Sequence, residues 1–140
     1  MRYIYLTDVF YAAHANHNEI LTKSTRPYVC LEITIEGVTF AIPLRHNIQH
    51  KYAFITRGAA GLDYTKAVVI SEPAQVSAVK PQIEQADFNA LKGKERRIHR
   101  DLVNYITLYK KAFKYRTNPH YANILKYSTL KYFHQYLRLI

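Results

Sequence analysis

The sequence lacks several features, and each absence excludes a class of protein. Its 140 residues include one cysteine, Cys30, so no internal disulfide can form. It contains no apolar run long enough for a transmembrane helix. Polar residues interrupt the apolar positions near the N-terminus, which does not match a signal peptide. We therefore expect a soluble, cytoplasmic protein with no membrane partner.

Glycines and grouped carboxylates are also scarce. The four glycines form no phosphate-binding loop. The acidic residues are scattered, whereas a magnesium site needs them grouped. His14 and His17 could begin a zinc site, but no second ligand pair lies nearby, and a solvated loop is the simpler interpretation. Cys30 lies in an apolar strand-like run, which favours the core over a nucleophile. We expect no metal and no cofactor.

Basic residues are abundant at one end of the chain. Lys and Arg number 20 against 10 Asp and Glu, which gives a net charge of +10. Residues 1–91 contain eight basic and eight acidic side chains, whereas residues 92–140 contain twelve and two. Such an excess is typical of proteins that bind a polyanion. Seven of the 13 tyrosines follow residue 100. We expect most of them to fill seams between helices and a few to contact ligand, because tyrosine can stack on an unpaired base.

Strand patterns occupy the first half of the chain. The predicted strands are 2–6, 26–35, 38–44, 52–56, 67–70 and, more weakly, 74–79. Glu36-Gly37 predicts a tight hairpin turn. Pro43 lacks a backbone N–H and indicates an edge or the end of pairing. The glycines of 58–64 predict a loop.

Helical patterns occupy the second half. Residues 94–114 place apolar side chains at helical spacing and basic ones on the opposite face. Asn118-Pro119 predicts the start of a last helix that continues to Leu137. Strands followed by helices predict an α+β fold. We expect one domain, residues 1–140, with a strongly bent antiparallel sheet or small barrel flanked by C-terminal helices.

A polar corner follows the strand 38–44. Ile48 is expected to hold this corner on the core, so that the polar residues around it converge on one patch: Arg45, His46, Asn47, His50 and Lys51. Histidine can exchange protons near neutral pH, and Arg and Lys can stabilise a phosphate. Such a set suits metal-independent RNA cleavage by the RNA's own 2′-hydroxyl. A solvated loop is the alternative interpretation of the corner, and a solvated face is that of the basic helices.

Several segments resemble one family of toxins. They are RPYVCLEITIEGVTFAIPLRHNIQHKYAF, then GLDYTKAVVI and FNALKGKERRI. The chain resembles the ToxN/AbiQ endoribonucleases of type III toxin–antitoxin systems, and within them the TenpN-like branch. The likeness runs from about Arg26 to about Tyr109, and the order of segments fits over nearly the whole length.

The resemblance implies a strongly bent antiparallel sheet similar to that of the MazF and Kid toxins. It implies metal-independent, sequence-preferring endoribonuclease activity that leaves a 2′,3′-cyclic phosphate. The implied partner is a small repetitive RNA folded as a pseudoknot, which the toxin cuts from a precursor and which then inhibits it. Cellular or phage mRNA is the implied substrate, with abortive infection or growth arrest as the result. A higher-order assembly held largely by RNA is expected.

The resemblance also implies site residues. In ToxN-type members the strand ending in Ala-Pro-Leu is followed by Thr-Ser and then Lys, which lie at the scissile phosphate. Arg45 and His46 stand in the place of the Thr-Ser pair, and Lys51 or His50 takes the cationic role. His46 or His50 is then acid or base, and Arg45 and Lys51 stabilise the phosphorane. The remaining expected contacts are Tyr28 at the catalytic centre and, for RNA binding, Arg26, Asn47, Lys66, Lys92, Lys94, Arg96, Arg97 and Arg100.

Two other functions remain open at this point. A non-catalytic RNA-binding protein could use the same basic surface. A DNA-binding protein is the second alternative, although the sequence has no helix-turn-helix pattern.

Overall fold

All six strands lie in the first half of the chain, together with one short α-helix, and the other α-helices lie in the second half. The computed structural model describes residues 1–22 and 27–139. Its strands are β1 (Arg2–Ile4), β2 (Cys30–Ile35), β3 (Val38–Arg45), β4 (Ala53–Arg57), β5 (Ala60–Asp63) and β6 (Val68–Ile70). Its α-helices are α1 (Asp8–Ala13), α2 (Gln85–Leu91), α3 (Glu95–Lys114) and α4 (Ala122–Tyr127). The predicted α+β class is confirmed.

The six strands form one antiparallel sheet around β3. Their order is β1-β2-β3-β5-β4, and β6 pairs with the first part of β3. Within the described residues β1 and β4 remain at opposite edges, so the sheet does not close into a barrel. None of the helices in these ranges combines the length and apolar character needed to cross a lipid bilayer.

The predicted β2–β3 hairpin is confirmed. Ile35 pairs with Val38, and the two residues between them have φ values of 50° at Glu36 and 79° at Gly37. Positive φ at both positions defines a type I′ turn, whose twist matches that of the strands.

Pro43 lies where β3 changes one of its partners. The pairing with β6 ends at Ala41, and the pairing with β5 begins at Leu44. The N–H of Leu44 donates to Val29 on the β2 side, so the nitrogen of Pro43 faces the side where β6 has ended. The missing donor therefore costs no ladder bond, and the predicted end of pairing is confirmed on this side of the strand.

The loop predicted at 58–64 is wrong, because β5 lies within it. Gly58, with φ of 52°, turns the chain between β4 and β5. Gly61 instead lies inside β5, where a Cβ would overlap the backbone of Phe54 on β4. This second glycine therefore permits close strand pairing. The weak strand predicted at 74–79 is reduced to one bridge, between Leu6 and Val76.

Helix α3 covers the sheet with the face that its periodicity predicts. Its buried residues are Ile98, Leu102, Tyr105, Ile106, Tyr109 and Ala112. All of these except Ala112 join Leu31, Ile42 and Leu62 of the sheet in one core. The predicted polar face, from Arg97 to Lys114, is exposed. The core therefore fixes which side of α3 remains open to a ligand.

The long last helix predicted from Asn118 to Leu137 is wrong. Its start is confirmed, since the Asn118 side chain accepts from the His120 N–H and Pro119 opens a 3₁₀ turn. Helix α4 then ends at Tyr127, and two further 3₁₀ turns follow, Thr129–Tyr132 and His134–Tyr136.

Hydroxyl side chains at the next two residues explain the break. Ser128 adopts an extended backbone conformation, and its Oγ accepts from the N–H of Leu130. The buried Thr129 hydroxyl bonds the carbonyl oxygens of Thr65 and Ala67. These bonds compete with helical hydrogen bonds and tie the C-terminal segment to the sheet.

We expect Thr129→Val to lower the free energy of unfolding by about 1–3 kcal/mol, because it leaves buried carbonyl oxygens without their donor. Thr107→Val is the matched control, since the Thr107 hydroxyl donates to Val103 on the exposed face of α3. Urea denaturation measures both. Equal midpoints for the two variants would contradict this role of Thr129.

The two N-terminal histidines pack on the C-terminal segment, contrary to the predicted solvated loop. Their Nδ1 atoms lie 2.8 Å apart. His17 stacks on Tyr132 with ring centroids 4.1 Å apart, and His14 lies 5.3 Å from the Phe133 ring. Burial lowers the pKa of His14, as does nearby His17, and burial also lowers the pKa of His134.

A pH dependence of stability follows from these shifts. The unfolded chain binds protons at these histidines more readily than the folded one, so the free energy of unfolding should fall as the pH drops below about 6.5. Urea midpoints at about pH 7.5 and about pH 5.5 measure the fall. His14→Phe should reduce it, whereas His99→Gln, at an exposed site, is the control. An undiminished fall in His14→Phe would contradict the assignment.

Candidate active site

The polar corner after β3 is anchored as the sequence predicts. Ile48 is buried, and its N–H donates to the Ala59 carbonyl at 2.8 Å. Asn47 adopts a φ of 57°, which lets the chain reverse within a few residues. The corner therefore returns His50 to the sheet close to Arg45.

A buried carboxylate joins the two ends of this corner. Asp63, at the end of β5, is 0% exposed. Its Oδ2 accepts from Arg45 Nη1 at 3.1 Å, and its Oδ1 lies 3.1 Å from His50 Nε2. The backbone N–H and the hydroxyl of Thr65 also donate to Oδ1, at 2.9 and 2.6 Å. Such a fully bonded carboxylate is stable in the interior and fixes the groups around it.

Asp63 and Thr65 were not among the residues predicted for the site. A local signal for them exists, because Asp followed two positions later by Thr is a pattern that turns the chain through side-chain bonds to the backbone. Here that pattern opens the 3₁₀ turn Tyr64–Lys66 at the end of β5. The pairing of β5 with β3 was needed to bring it to Arg45.

The hydrogen bonds of His50 define its tautomer. The Tyr52 N–H donates to Nδ1 at 3.1 Å, so Nδ1 carries no proton. In the neutral ring the proton is then on Nε2, which faces Asp63 and, at 3.4 Å, the Thr65 hydroxyl. Both partners meet the same nitrogen, whereas a nucleophile–histidine–carboxylate relay uses both nitrogens. The arrangement does not fit a threonine nucleophile activated by histidine.

A cavity of about 310 Å³ opens beside Arg45 and His50. We name it the tyrosine cavity. It is lined by Arg45, His50, Tyr52, Thr65, Lys66, Tyr105, Asn123, Ile124, Tyr127 and Ser128. The side chains of Arg45 and His50 are 27% and 31% exposed, so both remain accessible despite their bonds to Asp63.

One wall of the tyrosine cavity is a protonated tyrosine. Tyr105, on α3, is buried, and this burial raises the pKa of its hydroxyl, which is also hydrogen-bonded to Ser128. Its ring centroid lies 5.5 Å from that of Tyr52. Tyr105 therefore offers an uncharged surface near neutral pH.

Lys66 is mostly buried and already paired. Its Nζ lies 2.9 Å from Glu19 Oε1 and 2.9 Å from the carbonyl oxygen of Tyr127. These bonds connect the N-terminal segment with the end of α4. Its predicted contact with a flanking phosphate remains a prediction. In that contact the ammonium group of Lys66 would bind the phosphate and the Glu19 carboxylate at the same time.

The other predicted catalytic residues lie in different cavities. His46 and Tyr28 line a polar cavity of about 490 Å³ that also contains Arg57 and Asp87. Successive residues leave a strand on opposite sides, which explains why His46 separates from Arg45. The polar corner therefore does not form the single patch that the sequence predicts, because His46 lines a different cavity from Arg45 and His50. The catalytic roles of these residues remain predictions.

Lys51 lies in a third cavity, of about 350 Å³, which we name the α3 groove. Its Nζ lies 5.6 Å from the Tyr52 ring centroid. The α3 groove also contains Arg97 and shares the rings of Tyr52 and Tyr105 with the tyrosine cavity. The two cavities thus adjoin each other at Tyr52 and Tyr105, with the Asp63 cluster beside one and the basic face of α3 beside the other.

The predicted RNA-binding residues are mostly exposed. Exposed side chains include Asn47, Lys92, Lys94, Arg96, Arg97 and Arg100. Arg97 stacks over Phe54, with its guanidinium carbon 4.9 Å from the ring centroid, and lies 3.8 Å from Asp101. Arg26 falls outside the described residues.

Neither a metal centre nor a reactive thiol is evident in the described ranges. Residues 1–22 and 27–139 contain no group of three or more His, Cys, Asp or Glu side chains that could hold a metal ion. Cys30 is buried in β2, and burial raises the pKa of its thiol to about 12. The prediction that Cys30 belongs to the core is confirmed.

Comparison of the chain with protein-family models, with curated proteins and with solved structures gives no match.

Asp63→Asn should lower the free energy of unfolding by about 1–3 kcal/mol, because it removes the charge that binds Arg45 and His50. Glu72→Gln is the control, since Glu72 is exposed and makes no capping bond. Thermal and urea unfolding measure the difference. A midpoint for Asp63→Asn equal to that of the control would show that the cluster adds nothing to stability.

Proposed function

We propose that this protein is a metal-independent endoribonuclease that acts as the toxin of a type III toxin–antitoxin system. One observation carries the proposal. Arg45 and His50 are held on the buried Asp63, beside a cavity whose tyrosine wall continues into a groove with two cations, Lys51 and Arg97. Fixed cations and a histidine next to an aromatic surface suit a ribose-phosphate chain.

The proposed reaction needs no metal. The 2′-hydroxyl oxygen attacks the adjacent phosphorus and loses its proton, while the bond to the 5′-oxygen breaks and that oxygen gains a proton. A 2′,3′-cyclic phosphate and a free 5′-hydroxyl result. Arg45 stabilises the charge of the phosphorane. His50 acts once RNA draws its ring away from Asp63 and from the Tyr52 N–H. Its free nitrogen then accepts the proton of the 2′-hydroxyl, and the resulting imidazolium gives a proton to the 5′-oxygen. His46, Lys51 and Tyr28 would then contact flanking nucleotides from the neighbouring cavities.

The charge distribution supports RNA as the ligand. Of the twelve basic side chains in residues 92–140, Arg97 is the one with a carboxylate within 4.0 Å, as far as the described residues go. The others repel one another unless an anion binds. We assign contacts with the RNA backbone to Arg26, Asn47, Lys66, Lys92, Lys94, Arg96, Arg97 and Arg100.

The sequence resemblance supports the toxin class. Two of the segments that carry it, FAIPLR and GLDYTKAVV, correspond to the second half of β3 and to the run from β5 to β6. They meet at the bond between Arg45 and Asp63. On this basis the sheet would be a bent, MazF-like sheet, and the partner a pseudoknot antitoxin RNA cut from a repeat precursor. The toxin would act on cellular or phage mRNA in the cytoplasm, in a toxin–RNA assembly.

A non-catalytic RNA-binding protein is the second candidate. The observation that favours it is the state of His50, whose two ring nitrogens are both hydrogen-bonded within the protein. A histidine in this state supports the shape of the site but transfers no proton.

Incubating the purified protein with RNA in EDTA distinguishes the two candidates. The endoribonuclease yields fragments that end in cyclic phosphate, whereas the binder leaves RNA intact and bound in a salt-sensitive manner. We expect Arg45→Gln and His50→Gln to lower cleavage by about 100-fold or more. The control, His120→Gln, changes an exposed residue outside the three cavities.

The effect of His46→Gln on cleavage shows which of the two cavities, the tyrosine cavity or the polar cavity, contains the scissile phosphate. A small effect supports the scissile phosphate at Arg45 and His50. Loss of cleavage in His46→Gln, with normal cleavage in His50→Gln, would move the reaction to the polar cavity with Tyr28. Intact RNA in every sample, with RNA binding retained, would establish the non-catalytic alternative.

A further inference from the structure

We propose that the tyrosine cavity binds one unpaired nucleobase of an RNA strand, a proposal that rests on the proposed function and names the part of the substrate that this cavity recognises. The cavity volume of about 310 Å³ is at the lower end for ligand pockets. A single base fits such a space, whereas a double helix does not. A base can enter only where the strand is unpaired, in a loop, a bulge or a single-stranded segment.

The walls of the cavity are suited to stacking. Tyr52, Tyr105 and Tyr127 line it together with Ile124. Tyr127 is 48% exposed, with Lys126 Nζ lying 5.2 Å from its ring centroid. An exposed aromatic ring under a cation is a surface on which a base can stack while its phosphate meets the cation.

The polar groups of the cavity suit the edge of a base. Asn123 offers an amide with both donor and acceptor, and it has no hydrogen-bond partner among the residues that the structure describes. The Ser128 and Thr65 hydroxyls lie in the same lining but are already bonded within the protein, so Asn123 is the group that is free to bind a base. Amide and hydroxyl groups bind the Watson–Crick or Hoogsteen edge of an extruded base.

The charges around the cavity favour a base over a phosphate inside it. The arginine and the lysine in its lining are both matched, Arg45 by Asp63 and Lys66 by Glu19. The unmatched cations, Lys51 and Lys126, lie beside it over the rings of Tyr52 and Tyr127. A neutral base therefore enters the cavity, and the phosphates that flank it lie at its rim. The scissile phosphate meets the exposed parts of Arg45 and His50, and the other flanking phosphates lie toward Lys51 and Lys126.

One wall of the tyrosine cavity lies outside the sequence resemblance. That resemblance ends at about Tyr109, whereas Asn123, Tyr127 and Ser128 come from α4 and the break that follows it. Only the tertiary structure brings them to Arg45 and His50.

A fluorescent base tests the proposal without any cleavage. The probes are single-stranded 2′-O-methyl oligonucleotides, which have no attacking hydroxyl, with one 2-aminopurine or one pyrrolocytosine at successive positions. Stacking on tyrosine quenches the probe at one position, and anisotropy of an end label gives the affinity. We expect Tyr127→Leu to weaken binding about tenfold and to abolish the quenching. Asn123→Ala should reduce the preference between the two probes.

Tyr115→Leu is the matched control. Tyr115 is also 48% exposed and also carries the preceding lysine over its ring, with Lys114 Nζ 5.4 Å from the centroid. It lines none of the three cavities. Equal effects of Tyr115→Leu and Tyr127→Leu, or no quenching of either probe at any position, would overturn the proposal. Unfolding midpoints of the variants show whether each remains folded.

The outcomes for base binding and for cleavage are separable. If quenching depends on Tyr127 but the protein leaves RNA intact in EDTA, the base pocket is supported and the endoribonuclease is rejected. If the protein cleaves RNA but the quenching does not depend on Tyr127, the endoribonuclease is supported and the base pocket is rejected.

Discussion

The buried carboxylate of Asp63 is the interaction on which the site depends. It accepts from Arg45, from His50 and twice from Thr65, and no part of it reaches solvent. These partners come from the end of β3, the polar corner and the turn after β5. An ionised group in the interior is tolerated only when it is paired and hydrogen-bonded. The same bonds that satisfy Asp63 therefore fix the relative positions of the candidate catalytic groups.

Helix α3 and the C-terminal segment form the walls of the cavity beside the Asp63 cluster. Tyr105 reaches the cavity from the buried face of α3, while Thr129 holds the segment after α4 against the turn that follows β5. The break at Ser128 contributes Ser128 to the cavity lining, and the Thr129 bonds that follow it hold the end of α4 against the sheet. Packing that stabilises the C-terminal third also forms the cavity wall.

Sequence patterns predict those features that depend on local periodicity. The hairpin at Glu36-Gly37, the buried face of α3 and the anchoring by Ile48 all follow from residue type and spacing. Features that depend on tertiary contacts do not. Gly61 resembles a loop glycine until the backbone of β4 lies against it, and the last helix breaks because Thr129 finds carbonyl acceptors 62 and 64 residues away in the chain.

The charges of the candidate site likewise could not be predicted from the sequence alone, because their pairing depends on tertiary contacts. Composition counts Arg45, Lys66 and Lys51 as equal cations. The structure pairs Arg45 with the buried Asp63 and Lys66 with the half-buried Glu19. Lys51 has no carboxylate within 4.0 Å among the described residues and lies over the Tyr52 ring instead. A carboxylate beside a cation lowers the net charge of the space next to an aromatic wall, and an unpaired cation attracts a phosphate more strongly than a paired one. The net charge of the chain therefore predicts that it binds a polyanion, and the pairing of each cation decides which part of that polyanion each surface can accept.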